Sequence, residues 1–328
     1  MAAHSFPPRA LPARALPVPD TVSAALKPFI AAPYPPGWDV APQTAAAWKE
    51  LVAQSAAAVA PDIAAIRQRF DITVERSVVA GVPVFVITPV NLPPANRDRL
   101  LVHVHGGGYV LYPGEAGAGE AMLMAAYGRF RTISVDYRMA PDFPFPAALD
   151  DAMAVWRALL AGNDARRMAI FGSSAGGGLT LAMVLRVKAE GLPLPAAIAP
   201  GTPWVDLTGD GDSIMANAYV DNVLVANAGW AAAAAKLYAA GRDLHDPLLS
   251  PIFGDFSGFP PAILTSGTRD LFLSDTVRAH RKLRQAGVEA VLQVFEAQSH
   301  AQFLMPFVPE TEEALTEIAR FFGMHLAA

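Results

Sequence analysis

The sequence predicts an α/β fold in which a mostly parallel, eight-stranded sheet is covered by helices on both faces. Short β-branched apolar runs recur along the chain, helix-length segments separate the later ones, and glycine-rich turns stand at the ends of two of them. The strand runs are 71–79, 82–88, 99–104, 131–136, 168–171, 196–199, 262–266 and 289–295, each about the length of a buried strand. Helical segments at 115–130, 146–161, 174–190, 275–286 and 310–325 alternate with the later runs. Two stretches fall outside this alternation. Residues 1–65 read as helical, and in 204–250 a Gly/Asp-rich turn precedes an alanine-rich helix around 230–240. Both are expected to pack as one cap over the carboxyl ends of the strands, where open α/β sheets bind ligands. The expected organisation is thus an N-terminal part of the cap (1–65), a main α/β domain (66–203 and 251–328) and a cap insertion (204–250).

Composition narrows the chemistry. Among 328 residues, hydrophobic side chains make up 53% and charged ones 17%, so the chain can bury a large core. A net charge of -5 argues against a nucleic-acid partner held through phosphates. There is no cysteine, which removes disulfides, thiolate metal sites and a cysteine nucleophile. Mean hydropathy is high, at +0.30, yet no stretch reaches the roughly 20 uninterrupted apolar residues of a membrane span. Residues 191–205 carry four prolines, and 222–235 is short and soon followed by Lys236. The first 20 residues, broken by prolines, do not resemble a secretory signal. A cytoplasmic protein with a partly disordered first dozen residues is expected.

Gly172-Ser173-Ser174-Ala175-Gly176 follows the run MAIF and opens an amphipathic helix, the context that a G-x-S-x-G nucleophile elbow requires. Small residues are needed at 172 and 176 because the turn is tight. Ser174 then projects at a helix N-terminus that favours developing negative charge. A plain Gly/Ser turn or a phosphate-binding loop would share these residues, but no Walker lysine follows and G-x-G-x-x-G is absent. At the end of the run LLVHV stands His105-Gly106-Gly107-Gly108. Three adjacent glycines are conformationally costly, which suggests that backbone N–H groups approach a ligand there. Together with the N–H of Ala175 they would form an oxyanion hole.

A serine hydroxyl needs a base, and the base an orienting acid. Of seven histidines, His4, His103 and His105 precede the serine and are out of order for this architecture. His245 falls in the cap insertion, His280 in mid-helix and His325 near the last helix end, so His300, in the loop after a strand, is the candidate base. Asp270 directly follows the run AILTSG and is preferred as the acid over Asp275, which reads as a helix N-terminal residue. His103, inside its strand, reads as structural.

With these residues in view, the chain resembles the hormone-sensitive-lipase-like serine esterases of the α/β-hydrolase fold. The resemblance spans residues 80–325 and rests on motifs in matching order: HGGG, YRMAPD with FPAALDD, GSSAGG, PWVDL, DPLLSPIFGDFSGFPPAILTSGTRD and the region around His300. It implies a carboxylesterase with Ser174, Asp270 and His300 as triad, Gly107, Gly108 and Ala175 as oxyanion donors, no cofactor or metal, and a cap built from both leftover regions. It also implies a homodimer as the expected assembly. His105 is then a residue that shapes the oxyanion loop. Two positions depart from the family pattern: Ser173, where Asp or Thr is common, and Ala297-Gln298, where Gly-Met is usual. Tyr109, Trp204, Leu271, Phe303 and Leu304, close in sequence to these motifs, are the expected substrate contacts. The expected substrate is a short- to medium-chain ester. The same groups could serve a lactone or amide hydrolase, and the fold without turnover could serve as a small-molecule receptor.

Overall fold

The computed structural model describes residues 9–327. Eight strands form one sheet: β1 (Ile72–Val79), β2 (Val82–Pro89), β3 (Leu100–Val104), β4 (Arg131–Val135), β5 (Met168–Ser173), β6 (Ala197–Gly201), β7 (Ala262–Gly267) and β8 (Ala290–Phe295). Their order across the sheet is β1-β2-β4-β3-β5-β6-β7-β8. β2 runs antiparallel to both neighbours, and the remaining pairs are parallel. Every expected strand forms, with ends shifted by at most two residues.

The helices are α1 (Lys27–Ile30), α2 (Ala45–Arg69), α3 (Gly119–Gly128), α4 (Ala147–Leu160), α5 (Ala175–Ala189), α6 (Asp212–Ala216), α7 (Gly229–Ala239), α8 (Leu273–Gln285) and α9 (Pro309–His325). Strand alternation divides the core. Val102, Val104, Ile170, Ile198 and Leu264 meet α4, α5 and α8 on one face. Leu101, Phe171, Ala199 and Ile263 meet α3 and α9 on the other. β3 and β5 are buried at every position, which is why their sequences read as unbroken apolar runs. Each large side chain so buried contributes about 1.5–3 kcal/mol.

The N-terminal expectation needs correction. Among the described residues before α2, only Lys27–Ile30 is α-helical. Prolines at 12, 17, 19, 28, 33, 35, 36 and 42 remove the N–H groups that a longer helix would need. The α2 helix begins where they end, with Thr44 accepting the Ala47 N–H at 3.2 Å. The helix expected from 115 starts at Gly119, after a 3-10 turn at Gly114–Ala118. Gly117 packs there against the His105 ring. The expected disorder of the first dozen residues falls mainly on residues 1–8, outside the described residues, as does His4.

The 204–250 stretch lies between β6 and β7 and holds α6 and α7. It meets the N-terminal segment directly. Tyr34 donates its hydroxyl to the Tyr219 carbonyl at 2.7 Å, and the Trp38 and Tyr219 rings meet edge to face at 5.9 Å. Among the described residues, no helix is long and apolar enough to cross a membrane.

Candidate active site

Ser174 occupies the turn between β5 and α5 with φ 61° and ψ −125°, a conformation that non-glycine residues rarely adopt. Neighbouring backbone holds it there. Its N–H donates to Gly201 O at 2.9 Å, and its carbonyl accepts from Trp204 N at 2.9 Å and Gly178 N at 3.0 Å. The flanking glycines are dictated by close approach, because a Cβ at either Gly172 or Gly176 would land on the Val104 carbonyl oxygen. Trp204 of the PWVDL motif thus supports Ser174 through its backbone.

The loop after β3 carries Gly107 and Gly108 at φ 100° and 63°. Its frame is His105, whose ring stacks on Tyr137 with centroids 4.1 Å apart. The Tyr137 hydroxyl donates to His105 O at 2.6 Å. His105 Nδ1 lies 2.7 Å from Gly106 O. Burial, offset only in part by that bond, drives the His105 pKa down to about 3. The ring is therefore neutral, in keeping with a framing role. Ala175 is the first residue of α5, so its N–H is one of the helix-end donors without an intrahelical acceptor.

His300 lies in the loop after β8. Its Nδ1 is 3.0 Å from Asp270 Oδ1 and 3.0 Å from Thr202 Oγ1. Asp270, fully buried after β7, also accepts from Phe272 N at 2.8 Å, Ser266 Oγ at 2.6 Å and the Thr202 hydroxyl. Burial alone would raise its pKa, but His300 and these hydroxyls outweigh that and hold it below the ordinary 3.8. A charged Asp270 keeps the imidazole proton on Nδ1. The other ring nitrogen, Nε2, is buried and unpartnered among the described residues. Asp275 makes no such contact: its Oδ2 accepts Val205 N and Asp206 N at 3.1 and 3.2 Å.

Ser174, His300, Gly107 and Gly108 all line one cavity of about 420 Å³. Of the expected substrate contacts, Trp204 and Leu304 line it too. Tyr109, Leu271 and Phe303 do not. Tyr109 stacks on Tyr238 at 3.8 Å, and Leu271 and Phe303 are each 1% exposed within the protein. Sequence proximity put them near the motifs but could not give their direction. The apolar wall instead comes from Trp230, Phe272, Leu224, Tyr112 and Leu51, joined by Trp38 from the N-terminal segment. No motif marks these residues.

Of the departures from the family pattern, Ser173 has a local explanation, and nothing in the structure explains Gln298. Ser173 donates its hydroxyl to Glu120 Oε1 at 2.7 Å and its N–H to Oε2 at 3.1 Å. Glu120 also meets His103 Nε2 at 3.2 Å, and His103 Nδ1 lies 2.9 Å from Ser134 Oγ. His103 is thereby engaged behind the elbow. Ala297 takes φ 59°, the left-handed region that explains a family glycine there. Sequence reasoning missed Asp221, a fully buried carboxylate that contacts both the Asp270 and His300 loops. It falls in a segment without a motif.

Fold and site together define a class. The model of the alpha/beta hydrolase fold family matches residues 101–304, and the chain belongs to that family. Within it the chain is hormone-sensitive-lipase-like. A solved esterase from the bacterial hormone-sensitive lipase family is 30% identical, with a TM-score of 0.74 over 85% of this chain and 98% of that one. The solved esterase E25 is 40% identical, with a TM-score of 0.94 over 98% of this chain and 99% of its own. An esterase of Acinetobacter venetianus is 32% identical over 69% of this chain and 75% of its own length. An acetyl-hydrolase of Streptomyces hygroscopicus is 32% identical over 70% and 77%.

Proposed function

We propose that this chain is a serine carboxylesterase that hydrolyses short- to medium-chain esters through an acyl-enzyme on Ser174. The observation that carries this reading is His300, bound through Nδ1 to buried Asp270, with an Nε2 unpartnered among the described residues, lining the same cavity as the Ser174 elbow. Esterase and acetyl-hydrolase relatives support the ester as substrate.

Ser174 Oγ attacks the ester carbonyl carbon while His300 Nε2 takes the hydroxyl proton, and Asp270 stabilises the resulting imidazolium. Charge collects on the carbonyl oxygen, for which the N–H groups of Gly107, Gly108 and Ala175 are the donors. His300 then returns the proton to the departing alkoxide, leaving the acyl group on Ser174. Water activated by Nε2 attacks this acyl-enzyme and releases the acid. The chemistry needs no cofactor or metal. The N-terminal residues and the 204–250 insertion form the cap, and their aromatic wall limits the size of the acyl group.

The test is hydrolysis of p-nitrophenyl esters over a range of acyl lengths, with Ser174→Ala in parallel and matched lactone and anilide substrates alongside. Ester turnover by the parent that is lost in the variant is expected. Unchanged activity in Ser174→Ala refutes the acyl-enzyme. Faster turnover of the lactone or anilide than of the matched ester refutes the substrate class.

A further inference from the structure

Asp221 belongs to neither the elbow nor the His–Asp pair, yet its carboxylate is fully buried and accepts four backbone N–H groups. Oδ1 takes those of Val223 and Leu224, at 2.7 and 3.0 Å, within its own segment between β6 and β7. Oδ2 takes those of Leu271 at 2.8 Å and His300 at 3.1 Å. One oxygen therefore grips the insertion and the other grips both loops that present the acid and the base. Neighbouring residues repeat the pattern. Asn217 Nδ2 donates to Asp270 O at 2.8 Å, and the Asn222 N–H donates to Ser299 Oγ at 3.0 Å.

We propose that Asp221 is a positioning residue for the ester hydrolysis, fixing the backbone of Leu271 and His300 relative to each other from the insertion. This rests on the Ser174–His300–Asp270 reading. A single carboxylate oxygen shared by two N–H groups sets their separation more tightly than two independent bonds would. An amide cannot substitute, because it has one oxygen where four donors converge, and its NH2 group would face two of them. Near a reacting centre, a misplacement of about 1 Å costs on the order of a hundredfold in rate. Asp221 does not itself line the cavity, and of the apolar lining it holds only the backbone of Val223 and Leu224, so the penalty should fall mainly on kcat.

The experiment measures kcat and KM for p-nitrophenyl butyrate in parent, Asp221→Asn, Asp270→Asn and the double variant, with thermal melting of each. Asp221→Asn is expected to lower kcat about tenfold to a hundredfold with KM within about threefold. In the Asp270→Asn background it should cost less than about threefold, because what it positions is already broken. A kcat within about twofold of the parent overturns the proposal. So does an equal loss in both backgrounds, which marks general destabilisation. If Asp221→Asn does not fold, half-buried Asn217→Ala carries the test, with an expected kcat loss of about three- to tenfold and the same non-additivity; no loss there overturns the proposal. Ser174→Ala is run as a control. Full activity in it refutes the triad and this role together, whereas an inactive Ser174→Ala beside an unaffected Asp221→Asn refutes this role alone.

Discussion

Replacing Asp275 with asparagine should change how stability depends on pH. Asp275 lies in the first turn of α8, 1% exposed, with its Oδ2 on the N–H groups of Val205 and Asp206. Arg278 pairs with Asp206 at 2.6 Å and stays 4.0 Å from Asp275. Burial first, and the Asp206 charge second, raise the Asp275 pKa from 3.8 to about 8. Between these values the folded chain keeps a proton that the unfolded chain has lost. Stability from this group is therefore full below pH 3.8, falls as pH rises, and levels off above about 8. One proton gives a slope of about 1.4 kcal/mol per pH unit, or up to about 3 kcal/mol from pH 5 to 7. Asparagine resembles the neutral acid and can still accept from both N–H groups through its single oxygen. Urea unfolding of parent and Asp275→Asn at pH 5, 6, 7 and 8 should show the variant gaining relative stability with rising pH. A stability difference constant to within about 0.5 kcal/mol across that range would refute the assignment.

Two further outcomes test the packing. Gly172→Ala places a methyl group on the Val104 carbonyl, between paired strands that cannot part. It should destabilise by about 3 kcal/mol or more, and a melting temperature unchanged in differential scanning fluorimetry would contradict this. Trp230→Ala removes a ring from the cavity wall facing Gly108. The ratio of kcat/KM for p-nitrophenyl octanoate to that for the acetate should rise about tenfold; an unchanged ratio would exclude Trp230 from the acyl path.

The sheet was legible because strands buried on both faces write themselves as unbroken apolar runs, as 100–104 and 168–173 do. The proposed Ser174, His300 and Asp270 could be picked out because each follows a strand, in the order that the architecture demands. The pocket wall was not. Tyr109 and Phe303 lie near the motifs yet turn into the protein, whereas Trp38 and Trp230 reach the cavity from segments far away in sequence. Contacts of that kind depend on how non-repeating segments dock, which leaves no period in the sequence. Asp221 was hidden for the same reason: its partners are backbone N–H groups, and any residue supplies one. The N-terminal segment departs from the helical expectation because its prolines remove the N–H groups a helix needs.

Ser23 donates its N–H and its hydroxyl to the Glu310 carboxylate at 2.7 and 2.8 Å, across 287 residues of chain. Asn222 and Gln302 likewise hold the Phe29 carbonyl, at 2.8 and 3.1 Å. During synthesis the N-terminal segment leaves the ribosome long before any of these partners exists. At about 5–20 residues per second it waits tens of seconds, with Trp38 lacking the wall it will join. The segment around Ser23 and Phe29 therefore cannot reach its final contacts until residues 222, 302 and 310 have been made.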